Sequence, residues 1–200
     1  MRHLTRVRLA SLVVILIAIG GCASMREPPQ GTGSGGAAGA ASTGSAAKID
    51  MAVDSALPKL FSAVPKAQEL AARAKGILVF PNIVKAGFLV GGQYGEGALR
   101  EHGRTVGYYS TVAASFGLQA GAQEFGYALF FMSDAALTYL RTSDGWEIGT
   151  GPSVVILDTG TAAALTTTTA RADVYAIFFD QKGLMAGLGL QGSKITRINP

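Results

Sequence analysis

The sequence predicts an α+β domain: one or two N-terminal helices packed on a tightly coiled or closed, glycine-rich antiparallel sheet. Three observations carry this. Residues 48–75 place apolar side chains at helical spacing. After Gly76 the texture changes to short apolar runs separated by turn residues. Glycines then recur with shared parity: Gly87, Gly91, Gly95 and Gly97, then Gly117 and Gly121, then Gly183, Gly187 and Gly189. On a strand, residues of one parity lie on one face, here opposite Phe88, Val90 and Tyr94 and opposite Leu184, Leu188 and Leu190. Glycine weakens a strand unless something packs closely on it or the sheet bends sharply. Repeated glycine faces therefore argue for a sheet coiled on itself.

The N-terminal segment comes first. Arg2, Arg6 and Arg8 precede an apolar run over residues 9–19, broken only by Ser11. The run is shorter than the about 20 residues needed to span a hydrocarbon core and has the length of a secretion signal. Ile19-Gly20-Gly21-Cys22 follows. It resembles a lipobox: an aliphatic residue, two small residues that let the peptide lie extended, then a thiol able to accept a diacylglyceryl group. The resemblance implies that residues 1–21 are removed and that Cys22 carries palmitate-type acyl chains, each contributing roughly 0.8 kcal/mol per buried methylene. Ala23, where an aspartate favours the inner membrane, makes the periplasmic face of the outer membrane the expected location of this lipoprotein.

Residues 27–47 are dominated by Pro, Gly, Ser, Thr and Ala. They hold little apolar bulk to offset the entropy of ordering, so residues 22–47 are expected to be a flexible tether and 48–200 the domain. Within 48–75 the spacing predicts two helices. Ser45 is a possible cap for the first, Pro58 is expected to interrupt it, and Pro65 and Gly76 bracket the second. Ile49, Val53, Leu57, Leu60, Phe61 and Val64 form the apolar stripe of the segment before Pro65.

Next, Ile77-Leu78-Val79-Phe80 reads as a strand ending at a Pro81-Asn82 turn. A glycine strand follows, and His102-Gly103-Arg104 reads as a hairpin tip. Ser133 is positioned to cap a short helix from Asp134, Asp144-Gly145 is a turn before Trp146, and Val154-Val155-Ile156-Leu157 is an apolar strand. Residues 77–91 are echoed by 176–187: apolar run, turn at Asp180-Gln181, Lys-Gly, glycine strand. The echo reads as a duplicated hairpin or as chance in a chain with 27 glycines.

Charge excludes one class of partner. Taking Arg2, Arg6 and Arg8 from the 17 basic side chains leaves 14 against 13 acidic ones. A near-neutral mature chain without a clustered basic face is not expected to bind nucleic acid. Cys22 is the only cysteine, so no internal disulfide forms and the fold rests on its core.

Taken together, the motifs resemble the SYLF domain family over residues 74–199. The resemblance is carried by Ala74-Lys75-Gly76-Ile77-Leu78-Val79-Phe80-Pro81, by Lys85-Ala86-Gly87-Phe88 with Gly91-Gly92, by Phe116-Gly117-Leu118-Gln119-Ala120-Gly121, and by Lys182-Gly183-Leu184 with Ala186-Gly187. It implies a non-enzymatic domain that binds phospholipid through basic and amphipathic residues at its N-terminal end. Lys59, Lys66, Arg73, Lys75 and Lys85 are the candidates here, with Lys48 nearby. No dense lysine cluster of the kind tied to actin binding is present. Where family members carry a Gly-Pro-x-Gly turn, this chain has Gly151-Pro152-Ser153-Val154.

Other chemistries weigh less. Asp158-Thr159-Gly160 looks like an aspartic peptidase signature, but that reaction needs two such aspartates sharing a proton. One copy demands a symmetric dimer, and a polar turn closing a strand explains the motif without one. Gly187-Leu188-Gly189-Leu190-Gln191-Gly192 matches a dinucleotide-binding pattern that needs a helix to open after the glycines. His102 is the only histidine after processing and has no cysteine partners, so no metal or cofactor is expected. The expectation is thus a membrane-anchored phospholipid-binding domain, with an envelope scaffold that docks a protein partner as the alternative and a peptidase using Asp158 as a remote one.

Overall fold

The computed structural model describes residues 37–157, 171–183, 190 and 192–200, with the side chains of 37–43 and 115–120 set aside. These residues belong to a compact unit, Ser34–Pro200. The predicted signal, Cys22, Asp158-Thr159-Gly160 and the glycine stretch after Gly183 lie outside the described residues.

Helix α1 is Ala37–Ala63 and contains Pro58; α2 is Pro65–Arg73. The first helix therefore starts earlier than the expected residue 48 and passes through its proline. Alanine, the strongest helix former, dominates the added turns. Pro58 costs about 3 kcal/mol, but Val53, Ala56, Leu60 and Val64 are buried on both sides of it, at about 1.5–3 kcal/mol for each larger aliphatic. The stripe outweighs the proline. The break falls instead at Val64, whose φ of −132° and ψ of 87° reflect the bias of a residue preceding proline.

Strands β1 (Gly76–Glu101) and β2 (Arg104–Phe131) form one long antiparallel ribbon turned at His102 and Gly103, both at positive φ. The hairpin tip stands where the sequence placed it. The Pro81-Asn82 turn does not: β1 runs through it with an irregularity between Phe80 and Ile83. Asp180-Gln181 likewise lies inside a strand, β5 (Val174–Gly183), with Asp180 at φ 51°. Both irregularities fall beside Phe125 and Gly126 of β2. The two similar segments are the flanking neighbours of one strand, with Leu129 paired to Leu78 on one side and Ala176 on the other. They are not two hairpins.

The remaining elements are α3 (Asp134–Thr142), β3 (Trp146–Glu147), β4 (Val154–Leu157) and β6 (Lys194–Ile198). The order β3-β6-β2-β5-β4, with β1 on β2, makes six strands among the described residues. All described pairs are antiparallel except β4 with β5, so the antiparallel expectation fails at that one pair. Ser133 Oγ accepts from the Ala136 N–H at 3.2 Å and caps α3, as its position predicts.

The sheet is a half-barrel, and the glycine face is where it closes on itself. A Cβ on Gly97 would overlap the Val79 carbonyl, and one on Gly95 would meet Ile83 and the Asn82 carbonyl oxygen. The two halves of β1 thus cross at backbone contact. Period-two alternation builds two cores. Phe80, Tyr127, Leu129, Phe131, Ala176 and Phe178 point inside with α3 and Trp146. Val79, Ala128, Phe130, Tyr175, Ile177 and Phe179 face α1 and α2. Strands buried on both faces read as unbroken apolar runs, which is how residues 127–131 and 174–179 appear. No described helix is long and apolar enough to cross a membrane.

Candidate functional site

A groove of about 510 Å³ opens where α1, α2 and the base of the ribbon meet. Its apolar wall is Leu57 and Phe61 of α1 with Ile77 of β1; its rim carries Arg73, Lys75, Arg100 and His102, with Asp54 as the one carboxylate. The sequence positions these groups simply. Helix α2 ends at Arg73, with the Ala74 N–H bonded to the Leu70 carbonyl at 2.8 Å. The Lys75 N–H then joins the sheet at the Phe131 carbonyl, 2.8 Å away. Two residues of connection leave Arg73 and Lys75 beside the hairpin tip.

The cations differ in freedom. Arg100 is locked: its Nη2 donates to Asp54 Oδ1 at 2.7 Å and lies 3.3 Å from Asp50 Oδ1. Its Nε is buried without an acceptor, a costly state for a charged donor. Asp50 also accepts from the Thr105 hydroxyl at 2.6 Å and the Tyr108 hydroxyl at 2.8 Å. Burial, and then that bond to Asp50, push the Tyr108 phenol above its ordinary pKa. Lys75 pairs with Asp134 at 3.5 Å, both side chains half or more exposed, a contact worth about 0–1 kcal/mol. Arg73 is exposed and enters no ion pair among the described residues. The groove can therefore offer Arg73 and a lightly held Lys75 to an anion, above a wall that accepts apolar groups.

The five basic residues picked from the sequence do not form one face. Arg73 and Lys75 line the groove. Lys59 lies in a separate hollow of about 240 Å³, 3.5 Å from Asp180 and near Glu124 and Lys182. Lys66 pairs with Glu69 on α2 at 2.5 Å. Lys85 is 8% exposed, in register with Gln123 on the inner face. Arg100 and His102 were missed as rim residues. The hairpin tip was legible, but the helices it meets were not.

Among the described residues no group of three or more His, Cys, Asp or Glu side chains is placed to hold a metal. The glycines ending at Gly192 are followed by strand β6, not by the helix that a dinucleotide site requires.

A helix-backed half-barrel with an open, cation-rimmed groove defines a binding module. Residues 112–199 match the family model Ysc84, described as a Las17-binding protein actin regulator, and this is the SYLF domain family that the motifs resemble. The matched span runs from within β2 to Asn199; the groove is built from residues 54–103 and precedes it. No curated protein is similar enough to the chain to count as a match.

Proposed function

We propose that the protein is a lipid-anchored envelope protein, tethered through Cys22 at the periplasmic face of the outer membrane, whose SYLF domain binds anionic phospholipid without catalysing a reaction. One observation carries the lipid reading: the groove sets exposed Arg73 and Lys75 beside Leu57, Phe61 and Ile77. A phospholipid presents the same pairing, a phosphate next to hydrocarbon. Near an anionic surface each Lys or Arg contributes about 1 kcal/mol, modest alone. Tethering raises the local concentration, so little intrinsic affinity is needed.

The test is flotation of the Cys22→Ser chain, which lacks the acylation site, with vesicles of phosphatidylethanolamine and phosphatidylglycerol. Binding is expected, and Arg73→Glu with Lys75→Glu lowers it about tenfold or more. No flotation with any bacterial phospholipid rejects the reading. A second reading has support in the family description, which names a protein partner. Under it the domain docks one envelope protein, and crosslinking in cells yields a single stoichiometric adduct that persists in the groove variants.

A further inference from the structure

The ribbon of β1 and β2 is bent in the middle as well as paired along its length. Leu89 has φ 63° and Gly121 φ 143°, and the register shifts between Phe88 and Val90. A Cβ on Gly87 would overlap the Cα of Gly91, so the chain folds sharply between them. The residues at that elbow are large and apolar. Phe88 is 73% exposed, Leu89 50% and Val90 60%. Their exposure is not a surface average: the other large apolar residues of β1 that share the fold's interior, Leu78, Phe80, Ile83 and Leu99, are essentially inaccessible.

Charge is almost absent around the elbow. Residues 85–95 and 111–123 contain one ionisable acid or base of the Asp, Glu, Lys, Arg type, Lys85, which is buried inside the ribbon. Carboxylates begin only at Glu96 and Glu124, in register with Ser110 and Val84. Exposed Lys48 lies with Val84 and Tyr94 around a hollow at the same level. The outer face between those levels adds Val84, Tyr94 and Val112, each about half exposed.

We propose that the elbow Phe88-Leu89-Val90 inserts into the interfacial zone of a lipid bilayer, a second membrane contact separate from the groove. The inference rests on the reading that the domain works at a membrane. Three arguments favour a bilayer over a protein. Among the described residues the apolar patch is Phe88, Leu89 and Val90 with Val84, Tyr94 and Val112 beside them, well short of the about 20–30 residues a side of a stable interface. A bilayer needs no complementary shape and rewards apolar area directly. The span from Cys22 to the start of α1 at Ala37 reaches at most about 50 Å when extended, so an anchored domain stays within reach of the surface. Depth is limited on physical grounds. Among the described residues the β1 edge away from β2 pairs with no strand, so hydrocarbon would leave its backbone groups unsatisfied, and Glu96 and Glu124 stay in water. Insertion therefore stops at about 5–10 Å, as for interfacial helices.

The chain's only cysteine is Cys22, so Cys22→Ser gives a background for single labels. Val90→Cys places an environment-sensitive fluorophore on the elbow, and Val106→Cys, 41% exposed in the parent, places one near the hairpin tip. Both full-length proteins are mixed with phosphatidylethanolamine–phosphatidylglycerol vesicles carrying nitroxide on the acyl chain. The expected result is a blue shift and quenching at position 90, each larger than at position 106 beside the rim of the groove. In unlabelled Cys22→Ser protein, Phe88→Ser with Val90→Ser lowers vesicle partitioning about tenfold with an unchanged far-ultraviolet circular dichroism spectrum. Vesicle binding with the position-90 label still in water overturns the elbow inference and leaves the groove reading standing. A label buried without vesicles in a sedimenting dimer also overturns it, in favour of a second copy. No vesicle binding at all rejects both.

Discussion

Gly97 and Val79 belong to the same strand and touch backbone to backbone: the site of a Gly97 Cβ is already filled by the Val79 carbonyl. The contact is how a flat ribbon becomes a half-barrel. Gly97→Ala must push two paired segments apart, and overpacking of this kind costs about 1–3 kcal/mol or more. Gly92 makes the control, since its nearest neighbour to a new Cβ is the Ala113 carbonyl oxygen at 3.8 Å. Gly92→Ala should lie within about 1 kcal/mol of the parent. Urea unfolding of the two variants separates them; equal midpoints would remove the close approach as the cause of the glycine pattern.

That pattern was legible in the sequence because strand parity is local. What it packs against was not, because the partner lies elsewhere in the strand and is set by the bend at Leu89. Pro81-Asn82 and Asp180-Gln181 read as turns and stand inside strands for a related reason. Turn-forming residues and bulge-forming residues are the same residues, and pairing with β2 decides between them. Pro58 reads as a break yet lies inside α1, because propensity is visible in sequence while the buried stripe's strength is not. The groove was half legible. Arg73 and Lys75 are separated only by Ala74 in the chain, but Arg100 and His102 reach them only through the ribbon's return.

Asp50, together with Asp54 at Arg100, holds α1 to the hairpin. Its carboxylate accepts from Thr105 and Tyr108 and faces Arg100. Hydrogen bonds to a charged group contribute about 1.5–3 kcal/mol. Asp50→Ala should therefore lower stability by about 2–3 kcal/mol and speed amide exchange in α1 more than in β5. Exchange that rises uniformly would mean that Asp50 supports the whole fold and not this one junction.

Tyr127 predicts the alkaline limit. It is fully buried, donates to Thr111 Oγ1 at 2.9 Å, and burial raises its phenol well above the ordinary value of 10.0. Tyr94, Tyr108 and Tyr109 shift the same way. A raised folded pKa means that the folded state holds the proton more tightly. The contribution is then complete below the unfolded value and is lost as pH rises through the folded one. Stability should fall above about pH 10. Tyr127→Phe should cost about 1 kcal/mol at neutral pH and make that fall shallower. A pH series of denaturant midpoints, with phenolate absorbance followed in parallel, checks both.

Asp180 poses a choice between charge and backbone. It pairs with Lys59 and Lys182, each at 3.5 Å, from a carboxylate side chain 35% exposed. It also holds φ 51° inside a strand, where it forms the irregularity opposite Phe125. Two exposed ion pairs contribute about 0–1 kcal/mol each. A left-handed residue other than glycine, asparagine or aspartate costs about 1–2 kcal/mol, and a β-branched one is worse. The backbone argument outweighs the charge argument. Asp180→Asn keeps the left-handed tolerance and removes the charge, so it should cost no more than the two ion pairs together, about 0–2 kcal/mol, with the loss shrinking in high salt. Asp180→Val removes both and should cost about 2 kcal/mol or more, independent of salt beyond the ion-pair share. If Asn proves as damaging as Val, the ion pairs govern this bulge, and the link from α1 through Lys59 to β5 is electrostatic.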